Sequence, residues 1–126
     1  MFQYTAMEEN RSNSILYIVE VALAEGQEQA ERDLAEVMVA ATSNEAGTLN
    51  YHWAINGNTL QTLEHFESND ATLIHLNNFS ENFAEAFMAL GTVTACTVYG
   101  NPNEPVRAIL DGFGSKYMKS VATYTR

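Results

Sequence analysis

The sequence predicts an α+β fold of the ferredoxin-like, split β-α-β type, built on a four-stranded antiparallel sheet. Alternating apolar and polar residues indicate four strands, and apolar residues three or four positions apart indicate two long helices. Their order is β-α-β-β-α-β, followed by a short C-terminal helix and strand. A chain of 126 residues fits one domain rather than two. We assign residues 14–126 to that single domain and residues 1–13 to a flexible N-terminal arm.

The first strand and helix follow from their patterns. Ser14–Leu23 alternates and is rich in β-branched residues, which is typical of a central strand. Gln27–Ser43 carries apolar residues at helical spacing, with charged residues between them. Asn44 and Gly47 are residues that end helices, so we expect the helix to stop there.

A β-hairpin is predicted next, with Asn56-Gly57 between the strands Thr48–Ile55 and Leu60–Glu67. Both turn residues tolerate the positive φ of a type I′ turn, so we expect Ile55 to pair with Asn58. This register brings one set of side chains from both strands onto a common face. That face consists of Leu49, Tyr51, Trp53, Ile55, Leu60, Thr62, Glu64 and Phe66.

The second half of the chain begins with a helix-start cluster, Ser68–Asp70. An apolar stripe at helical spacing follows, and we expect it to break into two helices near Asn77-Asn78. The stripe consists of Leu76, Phe79, Phe83, Phe87 and Leu90. The remaining elements are a fourth strand at Thr92–Tyr99, a helix from Pro105 to Leu110 and a fifth strand at Tyr117–Thr125.

The predicted helices cover one face of the sheet and leave the other face uncovered. The uncovered face mixes apolar and polar side chains, among them Leu16, Ile18, Asn50, His52, Gln61, Leu63 and His65. An uncovered mixed face of this size usually finds a partner. We therefore expect a symmetric homodimer in which sheet packs on sheet.

Charge and motifs exclude several classes of partner. The net charge is −10, and no Lys or Arg lies between Arg32 and Arg107. No glycine-rich phosphate-binding motif is present, so we expect no nucleic-acid partner and no nucleotide cofactor. The N-terminus lacks a signal-peptide pattern and no apolar run is long enough to span a bilayer, so we expect no membrane association. A single cysteine, Cys96, fits a cytoplasmic protein.

Glu64 is the first candidate for chemistry, because it is the only acid on the apolar face of the hairpin. Burial among aromatic side chains would raise its pKa and make it a base. The alternative is a structural carboxylate that hydrogen-bonds Tyr51 or the backbone.

His75 is the second candidate and lies near the start of the aromatic helix. We favour it slightly as the proton acceptor, because an ordinary histidine titrates at about 6.5, close to neutral pH. The alternative is a histidine that caps or packs at the helix start. His52 and His65 lie on the other face, and without HxH, HExxH or CxxC spacing we expect no metal site.

Five aromatic residues complete the candidate site: Tyr51, Trp53, Phe66, Phe79 and Phe83. One interpretation is that they form the core. The other is that they line a cavity between sheet and helices for a flat aromatic ligand.

Three segments around these residues resemble the antibiotic biosynthesis monooxygenase domain family. They are Glu45–Tyr51 with its glycine before the second strand, Leu63–Ser68 with its glutamate in the third strand, and Ala71–Leu76 with its Ala-x-x-x-His-Leu element. The resemblance covers roughly Ser14 to Tyr99, and the tail beyond it resembles a bacterial subgroup. It implies a dimeric α+β barrel, in which Glu64 and His75 match the family's recurring acid and histidine.

The resemblance also implies oxygenation of a small aromatic, quinol or polyketide-like substrate by dioxygen, without metal or flavin. A deprotonated quinol reduces dioxygen itself, so the protein supplies a base, orientation and a dry cavity. The alternative is a non-catalytic small-ligand-binding or stress-related protein of the same fold. Two departures from the family bear on this: Ser80 stands where many quinol-oxidising relatives have a second histidine, and Glu85 stands near the axial histidine of haem-degrading members.

Overall fold

The computed structural model describes residues 13–126, so the N-terminal arm predicted for residues 1–13 lies almost wholly outside the described residues. Five strands and four α-helices follow one another along the described chain. They are β1 (Ile15–Leu23), α1 (Glu28–Thr42), β2 (Thr48–Asn56), β3 (Thr59–Phe66), α2 (Asn69–Asn82), α3 (Ala84–Met88), β4 (Gly91–Tyr99), α4 (Glu104–Leu110) and β5 (Lys116–Met118). A 3-10 turn, Asp111–Phe113, joins α4 to β5.

The sheet has the order β2-β3-β1-β4-β5, with β1 in its centre. The first four strands pair antiparallel with one another, and this confirms the predicted ferredoxin-like α+β architecture. The fifth strand extends the sheet by pairing parallel to β4. It is shorter than the predicted strand Tyr117–Thr125. It ends at Met118, and the chain beyond forms no strand.

The hairpin turn lies one residue later than predicted. Asn56 pairs with Thr59, so the two loop residues are Gly57 and Asn58 rather than Asn56 and Gly57. Gly57 has a φ of +63°, and within residues 13–126 no residue other than glycine has a positive φ. A type I′ turn needs positive φ at both positions, whereas a type II′ turn needs it only at the first. The prediction of a type I′ turn was therefore wrong.

This shift preserves the predicted inner face, because it moves the pairing by two residues. Tyr51 pairs with Glu64, and Trp53 pairs with Thr62. Leu49 and Ile55 are nevertheless largely exposed, at 43% and 50% of their surface. They lie on the edge strand, where the sheet has no neighbour beyond β2.

The break in the aromatic helix lies at Phe83 rather than at Asn77-Asn78. Phe83 adopts a φ of −129°, outside helical values, and separates α2 from α3. Asn78 stays within the helix because its side chain forms hydrogen bonds with other side chains and does not compete for the helix backbone. Its Nδ2 donates to Glu45, and its Oδ1 accepts a hydrogen bond from Asn82.

The core lies on one face of the sheet only. Every second residue of β1 is buried there, namely Ile15, Tyr17, Val19, Val21 and Leu23. The opposite face carries Leu16, Ile18 and Leu63 half-buried. Cys96 is buried, as expected for an inert thiol, and burial raises its pKa.

The C-terminal segment is anchored to the core through α4. Val106 and Leu110 are fully buried. The backbone N–H of Asn103 donates to Asn69 Oδ1 at 2.8 Å, which ties the start of α4 to the start of α2. Across residues 13–126, no helix has the length and apolar character needed to cross a bilayer.

Candidate active site

His75 lies between two carboxylates. Its Nδ1 is 2.9 Å from Glu45 Oε1, and its Nε2 is 2.9 Å from Glu64 Oε1. All three side chains are largely buried: His75 is only 3% exposed and Glu64 only 6%. The structure therefore brings together the two predicted catalytic residues and adds a third residue, Glu45, which the sequence analysis did not assign to the site.

Local sequence explains how these three residues meet. Ser68 caps α2 by accepting a hydrogen bond from the N–H of Ala71, and this starts the helix about two turns before His75. The loop that carries Glu45 passes close to α2. A Cβ atom on Gly47 would overlap the side chain of Ala71, so a glycine is needed for this approach.

The carboxylates are held by further hydrogen bonds. Thr48 Oγ1 donates to Glu45 Oε1 at 3.2 Å, and Asn78 Nδ2 donates to Glu45 Oε2 at 3.2 Å. Thr62 Oγ1 donates to Glu64 Oε2 at 2.8 Å. Each oxygen of both carboxylates therefore has a partner, which fixes their orientation.

The two carboxylates determine the protonation of His75. Burial alone would lower the pKa of His75, but the hydrogen bonds and charges of Glu45 and Glu64 raise it to about 9. Burial would likewise raise the pKa of Glu45, but the hydrogen bond and charge of His75 lower it overall. His75 is thus an imidazolium at neutral pH. The pKa of His75 therefore lies above the ordinary value of about 6.5 on which its choice as proton acceptor was based, and the role of His75 stays a prediction.

A small cavity of about 20 Å³ lies next to this cluster, between the sheet and the helices. Its walls are mainly apolar and aromatic. The lining residues are Tyr17, Val19, Met38, Tyr51, Glu64, His75, Leu76, Phe79, Phe87 and Phe113. Two of the five predicted ligand-binding aromatics, Tyr51 and Phe79, therefore lie in the wall.

The other three predicted aromatics lie outside the lining. Phe66 is fully buried, and its ring packs against His75 at 4.9 Å between centroids. Trp53 makes an edge contact with Phe87 at 5.8 Å. Phe83 packs against the core at the helix break. For these three residues, the core interpretation is the one that the structure favours.

The size of the cavity limits what it holds in this conformation. A volume of about 20 Å³ accommodates about one water molecule, whereas sites for organic ligands measure roughly 300–1,000 Å³. Eight of the ten lining residues are buried, and only Tyr51 and Phe113 are part-exposed. Tyr51 and Phe113 are therefore the lining side chains at which a ligand can reach the cavity from the surface.

Tyr17 and Phe113 are wall residues that the sequence analysis missed. Tyr17 pairs with Glu64 across β1 and β3, so correct strand pairing would have identified it as a neighbour of the carboxylate. Phe113 lies on the 3-10 turn of the C-terminal segment and its ring is 6.0 Å from that of Phe79. No signal in the sequence links that turn to the cavity.

Two tyrosine hydroxyls near the cluster remain protonated. Burial and the charge of Glu64 raise the pKa of Tyr51 far above its ordinary range. The same two causes raise the pKa of Tyr17. Both are therefore hydrogen-bond donors at any physiological pH.

No cluster of three or more His, Cys, Asp or Glu side chains in the described part of the chain could hold a metal ion. His52 and His65 lie on the opposite face of the sheet from the cluster. In the cluster itself, both ring nitrogens of His75 are engaged by carboxylates.

Comparison with known proteins places this geometry in a structural context. No protein-family model and no curated protein matches the sequence. Solved structures do match. MupZ from Pseudomonas fluorescens superposes with a TM-score of 0.79 and 23% identity, over 90% of each chain.

Two further neighbours carry functional descriptions. A single-residue mutant of SnoaB, a cofactor-independent oxygenase from Streptomyces nogalater, has a TM-score of 0.60 and 13% identity, over 73% of this chain and 96% of its own. A protein from Chloroflexus aurantiacus J-10-fl, described as a putative antibiotic biosynthesis monooxygenase, has a TM-score of 0.56 and 16% identity, over 72% and 95%. The chain shares the α+β fold of these solved structures. At these identities the likeness concerns the fold, as the sequence resemblance implied.

Proposed function

We propose that this protein is a cofactor-independent monooxygenase that oxidises a small aromatic, quinol or polyketide-like substrate with dioxygen. The observation that carries the proposal is the Glu64 carboxylate, which lies in the wall of an aromatic cavity with a protonated histidine behind it. The oxygenase descriptions of SnoaB and the Chloroflexus protein support the proposal.

Glu64 is the proton acceptor in this proposal, and His75 is a positioning residue. His75 holds a proton at neutral pH, so it has no free nitrogen with which to take one from a substrate. Glu64 lines the cavity, and a carboxylate has about four lone-pair sites, so its contacts with Thr62 and His75 leave it further acceptor capacity. The imidazolium holds Glu64 in place and stabilises the charge around it.

The chemistry needs no further reactant. Glu64 removes a proton from an anthrone-type methylene group or a quinol hydroxyl, and the resulting anion transfers one electron to dioxygen. The substrate radical and superoxide then combine in a carbon–oxygen bond, and the peroxide takes up the proton. For an anthrone, loss of water from this hydroperoxide forms the quinone, so that one anthrone and one dioxygen yield one anthraquinone and one water.

An oxygen electrode tests the proposal directly. We expect oxygen consumption with anthrone or 1,4-naphthohydroquinone that depends on the protein. Glu64→Gln is expected to lower turnover by about 10²–10⁴-fold, the usual contribution of general acid–base catalysis. Glu67→Gln is the matched control. Glu67 directly follows the last residue of β3, and its side chain is exposed to solvent. Consumption that is equal in both variants would contradict the role of Glu64.

The second candidate function is a non-catalytic small-ligand-binding protein. Both oxygens of Glu64 are already engaged, by Thr62 and by His75, and this favours a structural rather than a catalytic carboxylate. A binder would show an increase in Tm with an aromatic ligand but no oxygen consumption. Oxygen consumption that the protein accelerates would exclude it.

A further inference from the structure

Tyr17 has a buried hydroxyl group for which the rest of the protein supplies no well-formed hydrogen bond. The side chain is 1% exposed, and its hydroxyl forms no hydrogen bond of good geometry within residues 13–126, although it faces Glu64 closely enough for that carboxylate to raise its pKa. A buried unpartnered donor costs free energy, so native proteins rarely keep one without a use. Trp53 Nε1 is also buried without a well-formed hydrogen bond in the described part of the chain, but Trp53 does not line the cavity.

The position of Tyr17 indicates what the hydroxyl is for. Tyr17 lines the cavity beside Glu64, its direct partner across β1 and β3. The ring is held by stacking on Phe66, with 5.8 Å between centroids and 28° between planes. The hydroxyl is thus a rigidly placed donor next to the only carboxylate in the cavity wall.

We propose that Tyr17 donates a hydrogen bond to the oxygen atom of a bound phenol or quinol, from which Glu64 accepts the proton. A phenolic oxygen both donates and accepts, and Tyr17 and Glu64 together offer one donor and one acceptor at neighbouring positions. Negative charge develops on that oxygen when the proton leaves, and a preorganised donor stabilises it. Tyr17 is in this sense a further catalytic residue. The inference rests on the proposed use of the cavity for a phenolic ligand.

The protonation of Tyr17 supports this role. Burial and the neighbouring charge of Glu64 keep the hydroxyl protonated, so Tyr17 acts as a donor and does not compete as a base. Its fixed ring also means that little side-chain freedom is lost when the hydrogen bond forms.

Tyr17→Phe tests the inference, because it removes the hydroxyl and retains the ring that packs on Phe66. Tyr117→Phe is the matched control. The Tyr117 hydroxyl bonds Asp111 at 2.6 Å, and Tyr117 lies outside the cavity lining. The measurements are calorimetric binding of 2-naphthol and the Tm of each variant without ligand.

We expect Tyr17→Phe to bind 2-naphthol about tenfold more weakly than the wild type, the loss of one good hydrogen bond. We expect its Tm without ligand to stay about equal, since the hydroxyl forms no well-formed hydrogen bond in the free protein. Tyr117→Phe should bind like the wild type.

Three results would overturn the inference. Equal binding by Tyr17→Phe and the wild type would exclude the hydrogen bond while leaving the proposed function intact. A Tm lowered by several degrees in Tyr17→Phe would show that the hydroxyl has a structural partner. Absence of 2-naphthol binding by the wild type would overturn the use of the cavity for phenols, and the role of Tyr17 with it.

Discussion

Glu64 Oε1 and His75 Nε2 are 2.9 Å apart in a largely buried hydrogen bond. The other ring nitrogen of His75 is engaged by a second carboxylate, so the imidazole is held in its protonated form. In the proposed function, the acid and the histidine that share a cavity wall therefore have different roles. Glu64 is the group with remaining acceptor capacity, and His75 is the fixed charge behind it.

Stability should depend on pH through His75. Its pKa of about 9 in the folded chain lies above the ordinary value of 6.5. Its contribution to the free energy of unfolding is therefore complete below about pH 6.5 and is lost as pH rises through about 9. At 1.36 kcal/mol per pKa unit, this contribution is at most about 3 kcal/mol. The measurement is the free energy of unfolding in urea, determined at several pH values from about 6.5 to about 9.

The control for this pH dependence is a pair of histidine variants. His75→Gln should remove most of the stability difference between about pH 6.5 and 9, because the titrating group is gone. His52→Gln should keep it, since His52 is exposed on β2. If both variants show the same pH dependence of stability, groups other than His75 cause that dependence.

Loss of the imidazolium should destabilise the fold strongly. His75→Ala leaves two largely buried carboxylates facing each other without a cation between them. Breaking a buried ion pair by removing one partner costs about 3–5 kcal/mol. We expect a loss of this size in urea unfolding at neutral pH. A loss below about 1 kcal/mol, the range of exposed ion pairs, would contradict the buried cluster.

Phe113 should control entry to the cavity. It is one of the two part-exposed lining residues, and it lies on the 3-10 turn rather than on a strand or long helix. Phe113→Ala removes a ring from the wall, so we expect this variant to bind the three-ring ligand anthrone more tightly than the wild type does. Phe83→Ala is the control, because Phe83 is also half-buried but does not line the cavity. An equal change in both variants would indicate general loosening rather than a gate.

The predicted homodimer can be tested by a substitution on the face of the sheet that the helices do not cover. Ile18 and Leu63 are register partners there and remain half-buried in the single chain. A charge placed on this face should break a sheet-on-sheet contact. Analytical ultracentrifugation of Leu63→Lys should then show the 14.0 kDa monomer, and the wild type a dimer. Val37→Lys, on the exposed side of α1, is the control.

Hydrophobic periodicity was sufficient to predict the strand order along the chain and the face on which Glu64 lies. Both depend on the alternation of apolar and polar side chains along each strand. A shift of two residues in strand pairing leaves every side chain on the same face of the sheet. The turn type could not be predicted as reliably. The choice between Asn56-Gly57 and Gly57-Asn58 depends on the ladder of both strands rather than on the dipeptide.

The site was predictable only in part. Glu64 stood out because it is the only acid on the apolar face of the hairpin, and His75 because it lies near the start of the aromatic helix. Glu45 did not, because it lies in a loop whose approach to α2 depends on tertiary packing at Gly47. The protonation of His75 could not be predicted either, since it depends on that second carboxylate.

The most direct test of this account is the ¹⁵N nuclear magnetic resonance spectrum of His75 as a function of pH. We predict that both ring nitrogens carry protons at about pH 7.5 and that the ring titrates only near pH 9. This result would leave Glu64 as the proton acceptor of the cavity. A neutral His75 ring at about pH 7.5, with one unprotonated nitrogen, would contradict the account and return the role of base to the histidine.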